Sequence, residues 1–363
     1  MITSLMLGLI LSSGQDSALF HNTFDRGVEG WSAMQINGAG AKLTATYDAA
    51  HLKNGPGSLD YSYKVASGEM SLAAVQVTPG KLAKMGSLHM WLNCDHATSI
   101  VVSLSEHNGG RYSAICHVPK NEWQEINLST SDFLLATEAD APKDPDGKLD
   151  VDQIESIALI DIEGFLSQNS MLTEIVGIST GSRHLYVSDI QALEATVDAQ
   201  ASNGDAGYQV DNLNRPQMSW LGVGVDGMSV SKDTPFKGTW LKLDYHVGAG
   251  HVNGVVKSVH PEWMAGKKRL VFNAGANKGT QLFVQIEQTD GAKFRSTADV
   301  PGQAHYNQFD LAFSEFVVSE DSPVKDAKLD ISKVKQITFM DISGMTGSGD
   351  GDNTLYISPL TVK

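Results

Sequence analysis

One long stretch of the sequence occurs twice, and this repeat constrains the fold more than any other feature. The first copy is LDVDQIESIALIDIEG at residues 149–164, and the second is LDISKVKQITFMDISG at residues 329–344. Both ends are displaced by the same number of positions, since 330 minus 150 and 344 minus 164 both equal 180. A match of this length without a gap indicates a duplicated domain rather than a short solenoid unit.

The duplication extends over nearly the whole chain as matched segments in which apolar and polar residues alternate. The residues that alternate in one such pair of segments are Leu59, Tyr61, Tyr63 and Val65, matched by Leu241, Leu243, Tyr245 and Val247. This alternation is typical of a half-buried β-strand. Short strands separated by Gly, Asp and Asn turns, with no long run at helical period, predict an all-β fold of two tandem antiparallel β-sandwich (jelly-roll) domains.

The match between the copies also gives the domain limits. We predict β-sandwich domain 1 at residues 19–196 and β-sandwich domain 2 at residues 213–363. Residues 197–212 lack strong alternation and are rich in Ala, Gly, Asp and Asn, so they are interpreted as a linker or a loose joining strand. A chain of 363 residues is long enough for two domains that each bury a core.

The N-terminus has the apolar core of a secretory signal. Leu5 to Leu11 is followed by small residues at positions 12–14, as at a cleavage region, which predicts a signal peptide over residues 1–18. No Lys or Arg precedes Arg26, so a buried or frayed segment is the alternative. We therefore expect a secreted, periplasmic or cell-surface protein. No apolar run reaches the roughly 20 residues that a membrane span needs.

The net charge of the chain and the motifs that its sequence lacks argue against several classes of function. Lys and Arg total 27 against 42 Asp and Glu, and this formal net charge of −15 argues against nucleic acid and anionic membranes as partners. The sequence has no nucleophile elbow, P-loop, dinucleotide fingerprint or zinc-protease motif. Asp161 and Asp341 are matched acids in separate domains, so they cannot form a glycosidase pair. We predict a protein that is not an enzyme.

Alternation also suggests a binding surface in domain 1. If Leu88, Met90 and Leu92 point inward, their neighbours point to the opposite face, and the same holds for the segment 111–118. The residues assigned to a polar and aromatic platform in this way are His89, Trp91, Asn93, Arg111, Ser113 and His117. Trp91 would stack on a ligand, and Val271 replaces it in domain 2. Solvated faces, or a buried contact between the domains, are the alternative.

The two cysteines also differ between the copies. Cys94 and Cys116 both have inward parity, and their counterparts are Ala274 and Ala298. A disulfide is plausible in a secreted protein, and two small buried thiols are the alternative. The sequence leaves both open.

Five segments of domain 1 carry a resemblance to a known family. They are FDRGVEGW from residue 24, GPGSLDYSY from 55, WQEINLSTSDF from 123, DGKLDVDQIESIALID from 146 and LYVSDI from 185. These segments resemble carbohydrate-binding β-sandwiches of the galactose-binding-like superfamily, especially family-eleven carbohydrate-binding modules and the domain of the complex I intermediate-associated protein. Domain 2 lacks the FDxGxxGW opening.

This resemblance implies a jelly roll with a concave face that in some relatives binds a β-glucan chain. It also implies that a structural Ca²⁺ can occur in such a sandwich, although the sequence shows no cofactor. The acidic loop with Asp144, Asp146 and Asp150 fails the EF-hand pattern, because Pro142 and Gln153 stand where acids are required. We interpret that loop as a turn.

Two hypotheses for function follow. The first is a non-catalytic secreted protein whose domain 1 binds a polysaccharide or cell-surface glycan, such as a β-glucan. The second is a structural or adhesive cell-surface protein, or a protein-assembly scaffold, that has no sugar ligand and can self-associate.

Overall fold

The computed structural model describes residues 18–38, 40–136, 143–168, 178–215, 217–303 and 305–363. The elements of the N-terminal half are β1 (Phe20–Asn22), β2 (Trp31–Asn37), β3 (Lys42–Thr46), β4 (Ser58–Val65), β5 (Met70–Gln76), β6 (Ser87–Cys94), β7 (Thr98–Glu106), β8 (Arg111–Val118), β9 (Gln124–Ser129), β10 (Leu134–Leu135), β11 (Ile154–Asp161), α1 (Ile162–Leu166) and β12 (Gly181–Leu193).

The C-terminal half repeats this order with some additions. Its elements are β13 (Ser202–Gly204), β14 (Gly207–Asp211), β15 (Leu221–Val223), β16 (Gly227–Ser231), β17 (Trp240–Val247), β18 (Asn253–Ser258), α2 (Pro261–Met264), β19 (Arg269–Ala276), β20 (Thr280–Gln288), β21 (Lys293–Val300), β22 (Tyr306–Ala312), β23 (Val317–Val318), β24 (Val334–Asp341), α3 (Ser343–Thr346), β25 (Gly351–Ile357) and β26 (Leu360–Val362).

The described strands form four sheets. Sheet I has the order β3-β4-β12-β6-β9, with β1 beside β12, and sheet II has the order β10-β8-β7-β11-β5-β2. Sheet III has the order β13-β14-β26-β19-β25-β17-β16, with β22 beside β19, and sheet IV has the order β15-β18-β24-β20-β21-β23. Sheets I and II enclose one apolar core, and sheets III and IV enclose another, so we call the two halves the first and second sandwich. The predicted all-β fold of two antiparallel sandwiches is confirmed.

The alternation in the sequence explains how each sheet acquires an inner and an outer face. On β6, Leu88, Met90 and Leu92 are fully buried, whereas the residues between them are half-buried. Full burial of one such side chain contributes about 1.5–3 kcal/mol. The core of the first sandwich therefore determines which side chains β6 presents to the outside.

The structure corrects the linker prediction. Residues 202–211 form β13 and β14, and β14 pairs with β26. Tyr208 and Val210 are fully buried in the second core. The segment therefore belongs to the second sandwich, because two alternating apolar side chains suffice to bury a strand even in a Gly-rich sequence. The other domain limits remain predictions.

The acid that ends each copy of the repeat is structural. Asp161 accepts hydrogen bonds from the Tyr63 hydroxyl at 2.6 Å and from the Thr98 hydroxyl at 2.8 Å. Asp341 accepts one from the Tyr245 hydroxyl at 2.8 Å. Both carboxylates are buried, so the repeated Asp joins the two sheets of its own sandwich.

Cys94 and Cys116 are free and buried in this structure, which agrees with two buried thiols, one of the two possibilities that the sequence left open. They lie on β6 in sheet I and β8 in sheet II and point into the same core. Burial raises the pKa of Cys94 to about 12 and raises the pKa of Cys116 well above its usual value. The thiols are therefore apolar packing groups at neutral pH.

The predicted signal peptide falls almost entirely outside the described residues, which begin at residue 18. Within the described ranges, no helix is long and apolar enough to cross a membrane.

Candidate functional site

The six side chains predicted to form one platform lie on two different sheets. His89, Trp91 and Asn93 are on β6 in sheet I, whereas the other three are on β8 in sheet II. Both sets point away from the core, so they lie on opposite outer faces of the first sandwich. The prediction of a single platform is therefore wrong. Alternation along a strand gives the face of a sheet but not the sheet to which the strand belongs.

Two residues of the β8 set, His117 and Ser113, face the second sandwich. The backbone N–H of His117 donates to the carbonyl of Met218 at 2.9 Å, and the His117 side chain is only 4% exposed. Ser113 lines a cleft of about 650 Å³ between the two sandwiches. Arg111 starts the same strand, paired with Ser105 of β7. The contact between domains, one of the alternatives open in the sequence, is therefore correct for His117.

His117 makes stability depend on pH. Burial lowers its pKa from 6.5 to about 4, and its Nδ1 atom has no hydrogen-bond partner among the described residues. The unfolded chain takes up this proton near pH 6.5, so stability is complete above that pH and is lost as the pH falls toward 4. At 1.36 kcal/mol per pKa unit, the loss amounts to about 3 kcal/mol.

Urea denaturation between pH 7.5 and 4.5 measures this effect. The variant His117→Gln, which has no titrating ring, should show a smaller fall in unfolding free energy over this range than the wild type. Equal falls in the two proteins would contradict the assignment.

The β6 set lies on an outer face that is rich in rings and hydrogen-bonding groups. On β12, next to β6, Tyr186 pairs with Asn93 on one side and with Asp60 of β4 on the other. Trp91 pairs with Ser188 of β12 and with Glu125 of β9. Sheet I therefore carries Trp91 and Tyr186 on the outer side of adjacent strands, where Trp91 is half-buried and Tyr186 is only 9% exposed.

Further rings extend this surface. The His51 and Tyr186 rings are stacked, with centroids 4.0 Å apart and planes 8° apart. His184 lies on the other side of Tyr186, at 6.1 Å between centroids. His89 meets Trp91 edge to face at 6.3 Å. The aromatic groups thus form two adjacent sets, one centred on Tyr186 and one on Trp91.

The loop between β3 and β4 holds Trp91 in place. Asn54 and Ser188 are joined by two hydrogen bonds, from the Asn54 N–H to the Ser188 hydroxyl at 3.4 Å and from that hydroxyl to the Asn54 carbonyl at 3.1 Å. In the amide orientation that satisfies both groups, Trp91 Nε1 donates to the Asn54 side-chain oxygen at 2.9 Å. The Lys53 ammonium lies 4.5 Å from the centre of the Trp91 ring. The indole is therefore oriented before any ligand arrives.

Polar groups around the rings are paired with one another. His184 Nδ1 lies 2.8 Å from Asp60, and His89 Nε2 lies 3.2 Å from Glu125. Each carboxylate keeps acceptor capacity beyond this contact, because an ionised carboxylate has about four lone-pair positions. Together with the Asn93 carboxamide they can accept and donate hydrogen bonds beside the rings. We call Trp91, Tyr186, His51, Asp60 and Glu125, with Asn93, the sheet I surface.

Sequence reasoning found Trp91, His89 and Asn93 but missed Tyr186, His51 and Asp60. Tyr186 has the same outward parity on its strand, and Tyr356 stands at its place in the second copy of the motif. Those signals could have indicated an outward ring, but its position beside Asn93 depends on the strand order. His51 ends a single 3₁₀ turn (Ala49–His51), which is too short for periodicity to give a direction.

A metal ion is held by several ligand groups placed around it, such as acidic, histidine or cysteine side chains. Among the described residues, no group of three or more His, Cys, Asp or Glu side chains is placed to hold a metal ion. The loop of Asp144 and Asp146 is occupied by its own turn, in which each carboxylate accepts a backbone N–H two residues ahead at 3.0 Å. We therefore assign no step to a metal.

The first sandwich thus carries aromatic and hydrogen-bonding side chains together on the outer face of sheet I. No family model matches the chain, and no curated protein sequence matches it. Among solved structures, the chain is similar to the family 11 carbohydrate-binding module from Clostridium thermocellum in complex with a β-1,3-1,4-mixed-linked tetrasaccharide. That likeness has 17% identity, covers 50% of this chain and 100% of the module, and has a TM-score of 0.36.

The chain is also similar to a tandem pair of family 22 modules from Paenibacillus barcinonensis. This second likeness has 12% identity, covers 96% of this chain and 97% of the pair, and has a TM-score of 0.30. Family 11 modules, which the sequence motifs resemble, are thus among the similar structures. The fold described above rests on the sheets of this chain itself.

Proposed function

We propose that this chain is a secreted, non-catalytic glycan-binding protein whose first sandwich binds a sugar chain on the sheet I surface. The observation that carries the proposal is Trp91, half-buried, oriented by Asn54 and Lys53, and next to the strand of Tyr186. Sugar rings have an apolar face that packs on an aromatic ring and a rim of hydroxyls that need hydrogen bonds. The surface offers both within two adjacent strands.

The negative charge of the chain favours a neutral glycan over an anionic one as the ligand. The chain carries a formal net charge of −15, and Asp60 and Glu125 flank the two rings. An anionic polysaccharide would be repelled by this field, whereas a neutral β-glucan would not. Asp60, Glu125 and Asn93 would accept or donate hydrogen bonds to its hydroxyls.

Affinity electrophoresis tests the proposal. The full chain is run in native gels that contain mixed-linked β-glucan, xylan or polygalacturonate, with bovine serum albumin as a non-binding control. We expect retardation in at least one neutral glycan and none in polygalacturonate. The alternative, a structural or adhesive protein without a sugar ligand, predicts no retardation in any gel, and that result would overturn the proposal.

A further inference from the structure

The second sandwich carries its own group of rings on the outer face of sheet III. Four side chains form this group, which we call the ring cluster: Phe236, Trp240, Tyr306 and Tyr356. The centroid of Phe236 lies 4.9 Å from that of Trp240, 5.2 Å from that of Tyr306 and 5.4 Å from that of Tyr356. Trp240 and Tyr306 are also 5.4 Å apart. These are the distances of packed aromatic pairs.

A glycine makes room for the cluster. In the strand register, Tyr356 of β25 pairs with Gly275 of β19, and Gly275 pairs with Tyr306 of β22. A Cβ atom at Gly275 would lie 2.7 Å from Cζ of Phe236 and 2.5 Å from the carbonyl oxygen of His305. Phe236 therefore packs close above the bare backbone of Gly275, between the two tyrosines.

The four rings differ in exposure. Phe236, Trp240 and Tyr356 are 7%, 3% and 6% exposed, whereas Tyr306 is 50% exposed. Three rings thus form a packed base that supports the fourth. A Tyr ring held in this way offers a large apolar surface and has little conformational freedom to lose when a ligand binds.

Hydrogen-bonding groups continue the same surface. Lys242 lies next to Tyr356 in the register and forms an ion pair with Asp244 at 2.7 Å. The hydroxyl of Thr354 donates to Asp244 at 2.8 Å. One cross-strand row therefore runs from a charged, hydrogen-bonding end at Lys242, across Tyr356 and Gly275, to the exposed ring of Tyr306.

The outer faces of sheets I and III are similar, but the most accessible ring of each face lies on a different strand. Tyr356 stands where Tyr186 stands in the first sandwich. Phe236, from the loop before β17, meets Tyr356 edge to face, whereas His51 stacks flat on Tyr186. The register of β19 against β25 corrects the sequence match and puts Asn273, not Val271, at the place of Trp91, so β19 has no ring at that position. The exposed ring is supplied by the next strand, β22, through Tyr306.

From this arrangement we infer that the outer face of sheet III is a second glycan-binding site, with Tyr306 as the stacking ring and Lys242 and Asp244 as partners for sugar hydroxyls. The ligand class, a neutral sugar chain, rests on the proposed function of the first sandwich. Two sites in one chain give bivalent binding to a polymer, which strengthens retention beyond either site alone when both can be engaged together.

Four proteins test the inference: the wild type, Trp91→Ala, Tyr306→Ala and the double variant, each run on the glycan that retards the wild type. Each single variant is expected to bind about tenfold or more weakly than the wild type, and the double variant is expected to lose retardation. Tyr306→Phe, which keeps the ring, should bind like the wild type. The far-ultraviolet circular dichroism melt of each variant verifies that it is folded.

The outcomes separate the two proposals. If Trp91→Ala alone abolishes retardation and Tyr306→Ala equals the wild type, the second site is overturned while the first stands. If Tyr306→Ala alone abolishes it and Trp91→Ala equals the wild type, the first site fails and the second stands. If folded Tyr306→Ala fails to bind and Tyr306→Phe fails equally, stacking on the ring is overturned.

Discussion

Replacing Arg183 with Met is expected to lower the unfolding free energy of the first sandwich by about 3–5 kcal/mol, because it removes one partner of a buried ion pair. Arg183 is 1% exposed, and its Nη1 atom donates to Asp161 at 2.8 Å and to the Thr98 hydroxyl at 3.2 Å. Its Nη2 atom donates to Glu163 at 2.5 Å and to the Ser179 carbonyl at 2.6 Å. Without the guanidinium, Asp161 and Glu163 lose the cation to which both are bonded.

The second sandwich provides a matched control. Asn353 stands at the place of Arg183 and Ser343 at the place of Glu163, while the buried acid is kept as Asp341. The double variant Arg183→Asn, Glu163→Ser copies this arrangement and should recover part of the loss, since it removes one unpaired carboxylate. Hydrogen exchange of the β11 and β12 amides, followed by mass spectrometry, measures the first sandwich separately. A loss below about 1 kcal/mol in Arg183→Met would contradict the account.

Replacing Trp91 with Ala is expected to weaken glycan binding by the first sandwich by at least about 2 kcal/mol, which is roughly thirtyfold. The indole is the ring on which the sugar is proposed to stack, and its orientation by Asn54 is lost with it. The measurement is isothermal titration in the Tyr306→Ala background, so that only the first sandwich contributes. Trp91→Phe should retain part of the affinity, because it keeps a ring but cannot donate to Asn54.

A second control comes from the matched position. Asn273→Ala changes the residue that stands at the place of Trp91 in the second sandwich, so it should leave the titration unchanged. Equal affinities of the parent and the Trp91→Ala variant would show that the sugar does not stack on this ring.

Local periodicity was sufficient to predict the strands and their inner faces. Leu88, Met90 and Leu92 are buried as predicted, and so is Tyr112 on β8. Periodicity could not show that β6 and β8 belong to different sheets. The chain crosses from sheet I to sheet II between β6 and β7, and β8 then pairs with β7 in sheet II. Sheet membership is decided by pairing between strands that are distant in sequence, such as β6 with β12.

The prediction of a linker at residues 197–212 was wrong for a related reason. Tyr208 and Val210 do alternate, but the signal is short and surrounded by Gly, Asp and Asn. Their burial depends on β26, the last strand of the chain. Composition alone therefore could not distinguish a loose connection from an edge strand.

The residues of the candidate binding sites were harder to predict from the sequence than the strands. Trp91 was found because a large aromatic side chain had outward parity. His51 and Phe236 come from loops before β4 and β17, and their contacts with Tyr186 and Tyr356 exist only in three dimensions. The repeated stretch itself proved to be structural, since Asp161 and Asp341 each bind a tyrosine across the core. The rings proposed to stack on sugar, Trp91 and Tyr306, lie at positions where the two sandwiches differ and not in the repeated stretch.

Tryptophan oxidation with mass-spectrometric detection shows whether a bound glycan covers Trp91. Trp91 and Trp263 are both half-buried, but Trp263 packs on His260 and Tyr208, away from the sheet I surface. We predict that a neutral glycan that binds the chain slows oxidation of Trp91 and leaves that of Trp263 unchanged. If the bound glycan leaves the oxidation rate of Trp91 unchanged, the sheet I surface is not its binding site.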